Sequence, residues 1–238
     1  MGANISLVGI TGGTTPTPPV LGGVTSTTAN GTYGIGSVIN ATFTFSEAVT
    51  SSLGFVNVTF DTGGTCQFTV LNSTTASCSY TVGSGQTSSD LTTTSISGTI
   101  KNQAGIPMVN FTPTTNLAAN SAIVIYTAAP IMSSPLPSTS QNCTPHRNPI
   151  TISVTTNINS TCKYSATEFG ATYDNMVLFM DGTGTTTHTK AIFPTCGVIH
   201  QYGVQCMDTY GNKTTIPATV TFPVTEQFWI RKHDVEIR

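Results

Sequence analysis

The chain is 238 residues long with a net charge of −2, which suits one large domain or two β-sandwiches of about 100 residues each. Ser and Thr together number 69, Gly 22 and Pro 13, against only eight basic and ten acidic residues, a mix that favours strands and turns over helices. So few cations supply no basic stripe for a phosphate backbone, and no apolar run reaches the roughly 18 to 20 residues that span a bilayer, which excludes nucleic-acid binding and helical membrane insertion.

Residues 1–18 stand apart from the rest of the chain. ANISLVGI is one short apolar strand, with Ile5, Leu7, Val8 and Ile10 as its apolar members, and TGGTTPTPP is a Thr/Pro linker with nothing to pack. MGANISLVGITGG lacks the basic start and long apolar stretch of a signal peptide, so the chain reads as a mature form or a segment of a longer protein. A lone strand on a tether needs a sheet to join. These residues are therefore a candidate donor strand, adding to the sheet of a neighbouring copy.

Residues 19–130 show period-two alternation broken every eight to twelve residues by Gly, Asn or Ser, the pattern of a β-sandwich. In VINATFTF, Ile39, Ala41, Phe43 and Phe45 share one face and Asn40, Thr42 and Thr44 the other; in GFVNVTF, Val56, Val58 and Phe60 oppose Asn57 and Thr59. Cys66 and Cys78 stand six residues either side of Asn72. A hairpin turning there sets them opposite one another on one face with Phe68, Val70, Tyr80 and Val82, which predicts a cross-strand disulfide.

ANGTYGIGSVINATFTFSEAVT, DTGGTCQFTVLNSTTASCSYTVGSGQTSSDL, GTIKNQAG and the closing AIVIYTAAP resemble an extracellular Ig-like, cadherin-like repeat of microbial surface proteins. The resemblance implies a spacer, adhesive module or structural unit that carries no catalytic residue. Two features depart from it. The D-x-A-G-N turn of such repeats is here Asn102-Gln103-Ala104-Gly105-Ile106, which weakens a calcium site, and cysteine is unusual in them.

Residues 131–225 form a second unit in which ITISVTT, TCKYSA, NMVLFM, THTKAIF, IHQYGVQCMD and TIPATVTFP read as successive strands of seven-strand sandwich type. CKYS with the later YGVQCMDTYGN resembles fibronectin type III-like domains. On that strand map TCKYS and HQYGVQC are antiparallel neighbours, so Cys162 pairs with Cys206. Cys143 and Cys196 then fall in loops at the same end of the sandwich and are left to pair with each other. The expected fold class is thus all-β: two tandem Ig-like and fibronectin III-like sandwiches with an N-terminal extension strand. Residues 226–238 hold six of the 18 charges and the only Trp; this tail reads either as a frayed terminus or as an interaction strand built on Phe228, Ile230, Val235 and Ile237.

Three disulfides from six cysteines require an oxidising compartment, which places the chain outside the cell or on its surface. Zinc is not expected, because no two cysteines are closer than ten residues. N-x-S/T sequons begin at Asn4, Asn30, Asn40, Asn57, Asn72, Asn110, Asn142, Asn159 and Asn212. Chance would give roughly four in so Thr-rich a chain, so the excess points to a glycoprotein.

Catalysis by paired carboxylates needs two acids across a cleft, and the ten acids are scattered. Glu47 and Asp208 sit at strand ends, where turn chemistry is expected over calcium. G-x-S-x-G is absent, and the nearest lookalike, GSGQTSSD, is a polar loop. Of His146, His188, His200 and His233, His200 shares a face with Tyr202, Val204 and Cys206 and is expected to hydrogen-bond backbone at a sandwich corner. No catalytic residue, metal or cofactor is expected.

The sequence reading is therefore a non-catalytic extracellular structural protein, self-associating into a filament, sheath or surface layer by strand donation. The alternatives are an adhesin that binds a glycan or protein, and an accessory region of a larger secreted glycan-active enzyme.

Overall fold

The computed structural model describes residues 16–52, 54–143, 149–167 and 170–226, without the side chains of Cys143 and Glu226. Two compact units divide at Tyr126/Thr127. Both are built almost wholly from strands, as the Ser/Thr-rich alternation dictates.

The first unit contains β1 (Leu21–Ser26), β2 (Gly31–Tyr33), β3 (Val38–Ser51), β4 (Val56–Phe60), β5 (Thr65–Phe68), β6 (Ser73–Thr81), β7 (Thr93–Ser97), β8 (Ile100–Asn102), a single helical turn α1 (Leu117–Asn120) and β9 (Ile123–Ile125). One layer has the order β1-β3-β6 with β8 on the end of β3; the facing layer has β5-β4-β7; β2 and β9 form a parallel ribbon. The ribbon joins the run that feeds β7, since Leu91 N donates to Ile123 O at 2.7 Å and Ser88 N to Ile125 O at 3.0 Å.

Alternation places the core. Ile39, Ala41, Phe43 and Phe45 of β3 are buried against Val56, Val58 and Phe60 of β4, while Asn40 and Asn57 face out. Aromatic pairs tie the layers: Phe43 to Phe68 with centroids 4.8 Å apart, and Phe60 to Tyr80 at 4.9 Å. Each such ring buries area worth about 1.5–3 kcal/mol, and each pair adds about 0.5–1.5 kcal/mol through its geometry. Gly64 admits this packing, because a Cβ there would lie 2.1 Å from the Tyr80 ring.

The expected Asn72 hairpin is corrected. Asn72 does turn the chain, at φ 47°, but β5 pairs with β4 and β6 with β3. Cys66 and Cys78 are bonded to each other, from strands in different layers and not from neighbours in one hairpin. A period of two assigns faces but not pairing partners, and the short turn sends β6 across to the opposite layer.

The second unit contains β10 (Met132–Leu136), β11 (Gln141–Cys143), β12 (Ile150–Ser165), β13 (Leu178–Phe179), β14 (Thr185–Ile192), β15 (Ile199–Asp208) and β16 (Ala218–Glu226). They form one seven-stranded sheet of order β10-β12-β15-β16-β11, with β13 and β14 also on β12. ITISVTT and TCKYSA, expected as two strands, are one. β12 takes β14 along its first part, and β13 and β15 along its last, with a register irregularity between Thr155 and Ser160. β3 is built alike, irregular between Thr44 and Val49, with β1 on its first part and β8 on its last. A bulge bends a strand without ending it, so one strand can serve two parts of a core.

NMVLFM, also expected as a strand, is paired only at Leu178–Phe179. A turn takes up its first two residues, Asn175 N and Met176 N both donating to Thr172 O, at 3.0 and 3.2 Å. Tyr173 is buried by this turn, and its N–H donates to buried Gln205 Oε1 at 2.9 Å.

Candidate functional site

The second unit is centred on a sulfur pair. Cys162 and Cys206 face one another in the β12–β15 ladder and are bonded, with Cα atoms 4.0 Å apart. His188 of β14 lies against them, fully buried, and its nearest nitrogen and the two sulfurs lie within 4.8 Å of one another. These are the right elements for a metal, but the sulfurs are spent on each other, and only thiolates ligate metal well. Thr156 Oγ1, which donates to Ile158 O at 2.8 Å, lies 3.1 Å from His188 Nε2. Nδ1 has no partner at hydrogen-bond geometry. Burial holds this imidazole below its ordinary range, with the Gly182 backbone opposing the shift. It is a core histidine.

Cys196 is also in a disulfide. The side chain of Cys143, its expected partner, lies outside the described residues.

The remaining polar groups do turn work. Asp208 Oδ1 accepts from Tyr210 N at 2.9 Å and Asn212 N at 2.8 Å. Glu47 Oε1 accepts from Asn102 Nδ2 at 3.2 Å. Asn102 Oδ1 in turn accepts from Ile106 N at 2.9 Å, within the Asn102–Ile106 turn. His200 sits 2.8 Å from Thr195 O at a corner of the unit. Ser88 of the polar loop bonds Asp61 Oδ2 at 2.6 Å. His146 and His233 lie outside the described residues, as do the donor-strand residues Ile5, Leu7, Val8 and Ile10, the sequon at Asn4 and the charged tail.

Asn30, Asn40, Asn57, Asn72, Asn110, Asn142 and Asn159 are exposed. At Asn30, Asn40, Asn57 and Asn110 it is the carbonyl oxygen that is engaged, by Ala122 N, Ser79 Oγ, Gln67 Nε2 and Thr112 N; the amide nitrogen is the atom that bears a glycan. Asn212 is the exception. It is fully buried, its Nδ2 donates to Asp208 Oδ2 at 2.8 Å, and Thr214 of its sequon is buried too. The triplet alone could not show this, since it carries no information on burial.

The feature that sequence reasoning missed is a groove on the first unit. The two layers are joined on one flank by Cys66–Cys78, whose Cα atoms are 5.8 Å apart, far inside the roughly 10 Å spacing of stacked sheets. On the other flank β1 is covered by the 114–115 backbone, with Val24 N donating to Thr115 O at 2.9 Å and Thr114 N to Leu21 O at 3.1 Å. β7 is not covered in this way. Between them opens a groove of ≈ 270 Å³ lined by Thr93–Ile96, Phe111–Pro113 and Asn116. Asn116 closes one end: its Oδ1 accepts from Thr93 N at 3.2 Å and its Nδ2 donates to Thr93 O at 2.8 Å, as a neighbouring strand would. Among the described residues, strand pairing of β7 is with β4 alone.

The sequence matches no protein-family model and no curated protein. Among solved structures it is similar to a bacterial ice-binding adhesin, at 17% identity and TM-score 0.45 over 90% of this chain and 67% of that chain. It is also similar to the I9–I11 tandem from titin, at 13% identity and TM-score 0.34 over 86% of this chain and 66% of that one. A third likeness is to a membrane-anchored protein from Corynebacterium diphtheriae, at 11% identity and TM-score 0.30 over 90% and 55%. Among the described residues no helix is long and apolar enough to cross a membrane.

Proposed function

We propose that the chain is a non-catalytic structural protein of the extracellular surface, a subunit or segment of a filament, sheath or surface layer that assembles by strand donation. The observation that carries this reading is the pairing of a sandwich flank that lacks a strand with a sequence that supplies a spare one. Disulfides support a location outside the cell, where they persist. Exposed sequon asparagines support a glycan coat that keeps so weakly charged a chain in solution. The carboxylates of Glu47, Asp61 and Asp208 are engaged in turn and loop hydrogen bonds, which supports a scaffold over an enzyme.

Electron micrographs of native surface material test this. Periodic polymers that bind an antibody to the chain are expected; dispersed single particles would overturn assembly. A second reading, an adhesive module, is favoured by one observation: Val177, Leu178 and Phe179 are exposed together, with Lys163 Nζ 5.1 Å from the Phe179 ring centroid. Saturable binding on a glycan array, lost on Phe179→Ala, would promote it.

A further inference from the structure

We infer that the acceptor for the donated strand is the groove beside β7 of the first unit, and that its occupant is residues 3–10 of a second copy. The inference rests on assembly by strand donation and adds where the strand goes.

Three observations converge on this groove. First, its wall is a strand edge. β7 offers backbone at 94–97 on the side away from β4, and the Asn116 amide occupies that side only at Thr93. A peptide laid there gains main-chain hydrogen bonds, the general basis of strand addition. Second, within a lining made mostly of Thr, Ser and Asn, two apolar side chains connect it to the core. Ile96 is 9% exposed, and half-buried Phe111 packs on the same core cluster. A cavity of about 150 Å³ holds one benzene-sized group, so ≈ 270 Å³ is room for about two aliphatic side chains. Third, ANISLVGI supplies such a pair. Ile5 and Leu7 fall on one face, and Asn4, Ser6, Val8 and Ile10 on the other, which turns the Asn4 sequon to solvent when Ile5 and Leu7 point inward. The opposite flank is closed by Cys66–Cys78.

The linker gives the strand its reach. Residues 11–15 extend about 15 Å at about 3.1 Å per residue from the point where Asn102 Nδ2, donating to Thr17 O at 3.2 Å, holds the chain on the first unit, which gives the strand room to leave its own subunit. Exposed sheet edges are ordinarily blunted by charge or Pro; 94–97 is Thr-Ser-Ile-Ser, with neither.

The test is photo-cross-linking in the assembled full-length polymer, using Leu7→p-benzoylphenylalanine in an equal mixture of heavy- and light-isotope chains. Mixed-isotope cross-links from position 7 to peptides spanning 93–113 are expected. Polymers whose cross-links go elsewhere, stay within one chain or fail to form overturn this acceptor and leave strand donation standing. Chains that form no polymer overturn both. A second variant, Thr94→Lys, sets a charge on the exposed edge and is expected to cut polymer yield at least about tenfold with an unchanged near-UV circular dichroism spectrum; undiminished polymer overturns the inference.

Discussion

Cys66 and Cys78 reach each other from opposite layers of the first unit, β5 in one and β6 in the other. The bond therefore closes a flank of the sandwich as well as a short loop. With a sequence separation of 12, chain entropy alone gives about 3 kcal/mol. The double variant Cys66→Ala/Cys78→Ala should lower the unfolding free energy by that order, read as a fall in the denaturant midpoint. An unchanged midpoint would show that the layers hold this flank without the bond.

Gly64 lies where any side chain would enter the Tyr80 ring. Tyr80 cannot simply turn aside, because its hydroxyl donates to Gln86 Oε1 at 2.6 Å and accepts from Thr62 Oγ1 at 3.1 Å. Gly64→Ala should cost about 1–3 kcal/mol as overpacking, read as a fall in melting temperature. Gly36→Ala serves as the comparison, since no atom lies within 4 Å of a Cβ there, although its φ of 82° adds backbone strain. A Gly64→Ala loss no greater than that of Gly36→Ala would contradict the packing account.

His188 makes the second unit sensitive to acid. Its folded-state pKa is depressed by burial, so the unfolded chain takes up the proton first. Its contribution is complete above the unfolded value of about 6.5 and is lost as pH falls from there through the folded value. Relative to wild type, His188→Gln should flatten the pH dependence of unfolding free energy below about 6.5. Parallel curves would place the acid sensitivity on other groups.

Asn212 should carry no glycan. Its amide is buried against Asp208, and a sugar there would break that contact and the turn around it. Glycopeptide mapping of native material should find occupancy among exposed sites such as Asn40 and Asn57 and none at Asn212. Occupied Asn212 would mean that this turn opens before or after folding.

The two faces of β3 and β4 were legible because burial in a strand follows a period of two, and Ile39, Phe43, Val56 and Phe60 obey it. Long-range pairing was not. Nothing near Asn72 distinguishes a hairpin from a crossing to the other layer, and nothing between Thr155 and Ser160 distinguishes a bulge from a loop. The groove depends on Asn116 bonding Thr93, which stands 23 residues earlier. Such a contact leaves no local pattern, whereas Gly105, in its turn at φ 79°, does.

Sedimentation velocity of the glycosylated, unreduced chain with and without residues 1–18 tests most directly whether the detached strand builds the assembly. The full chain should sediment as a broad series of oligomers, and the shortened chain as one species of monomer mass with the same β-rich circular dichroism. Equal oligomers from both chains would contradict strand donation.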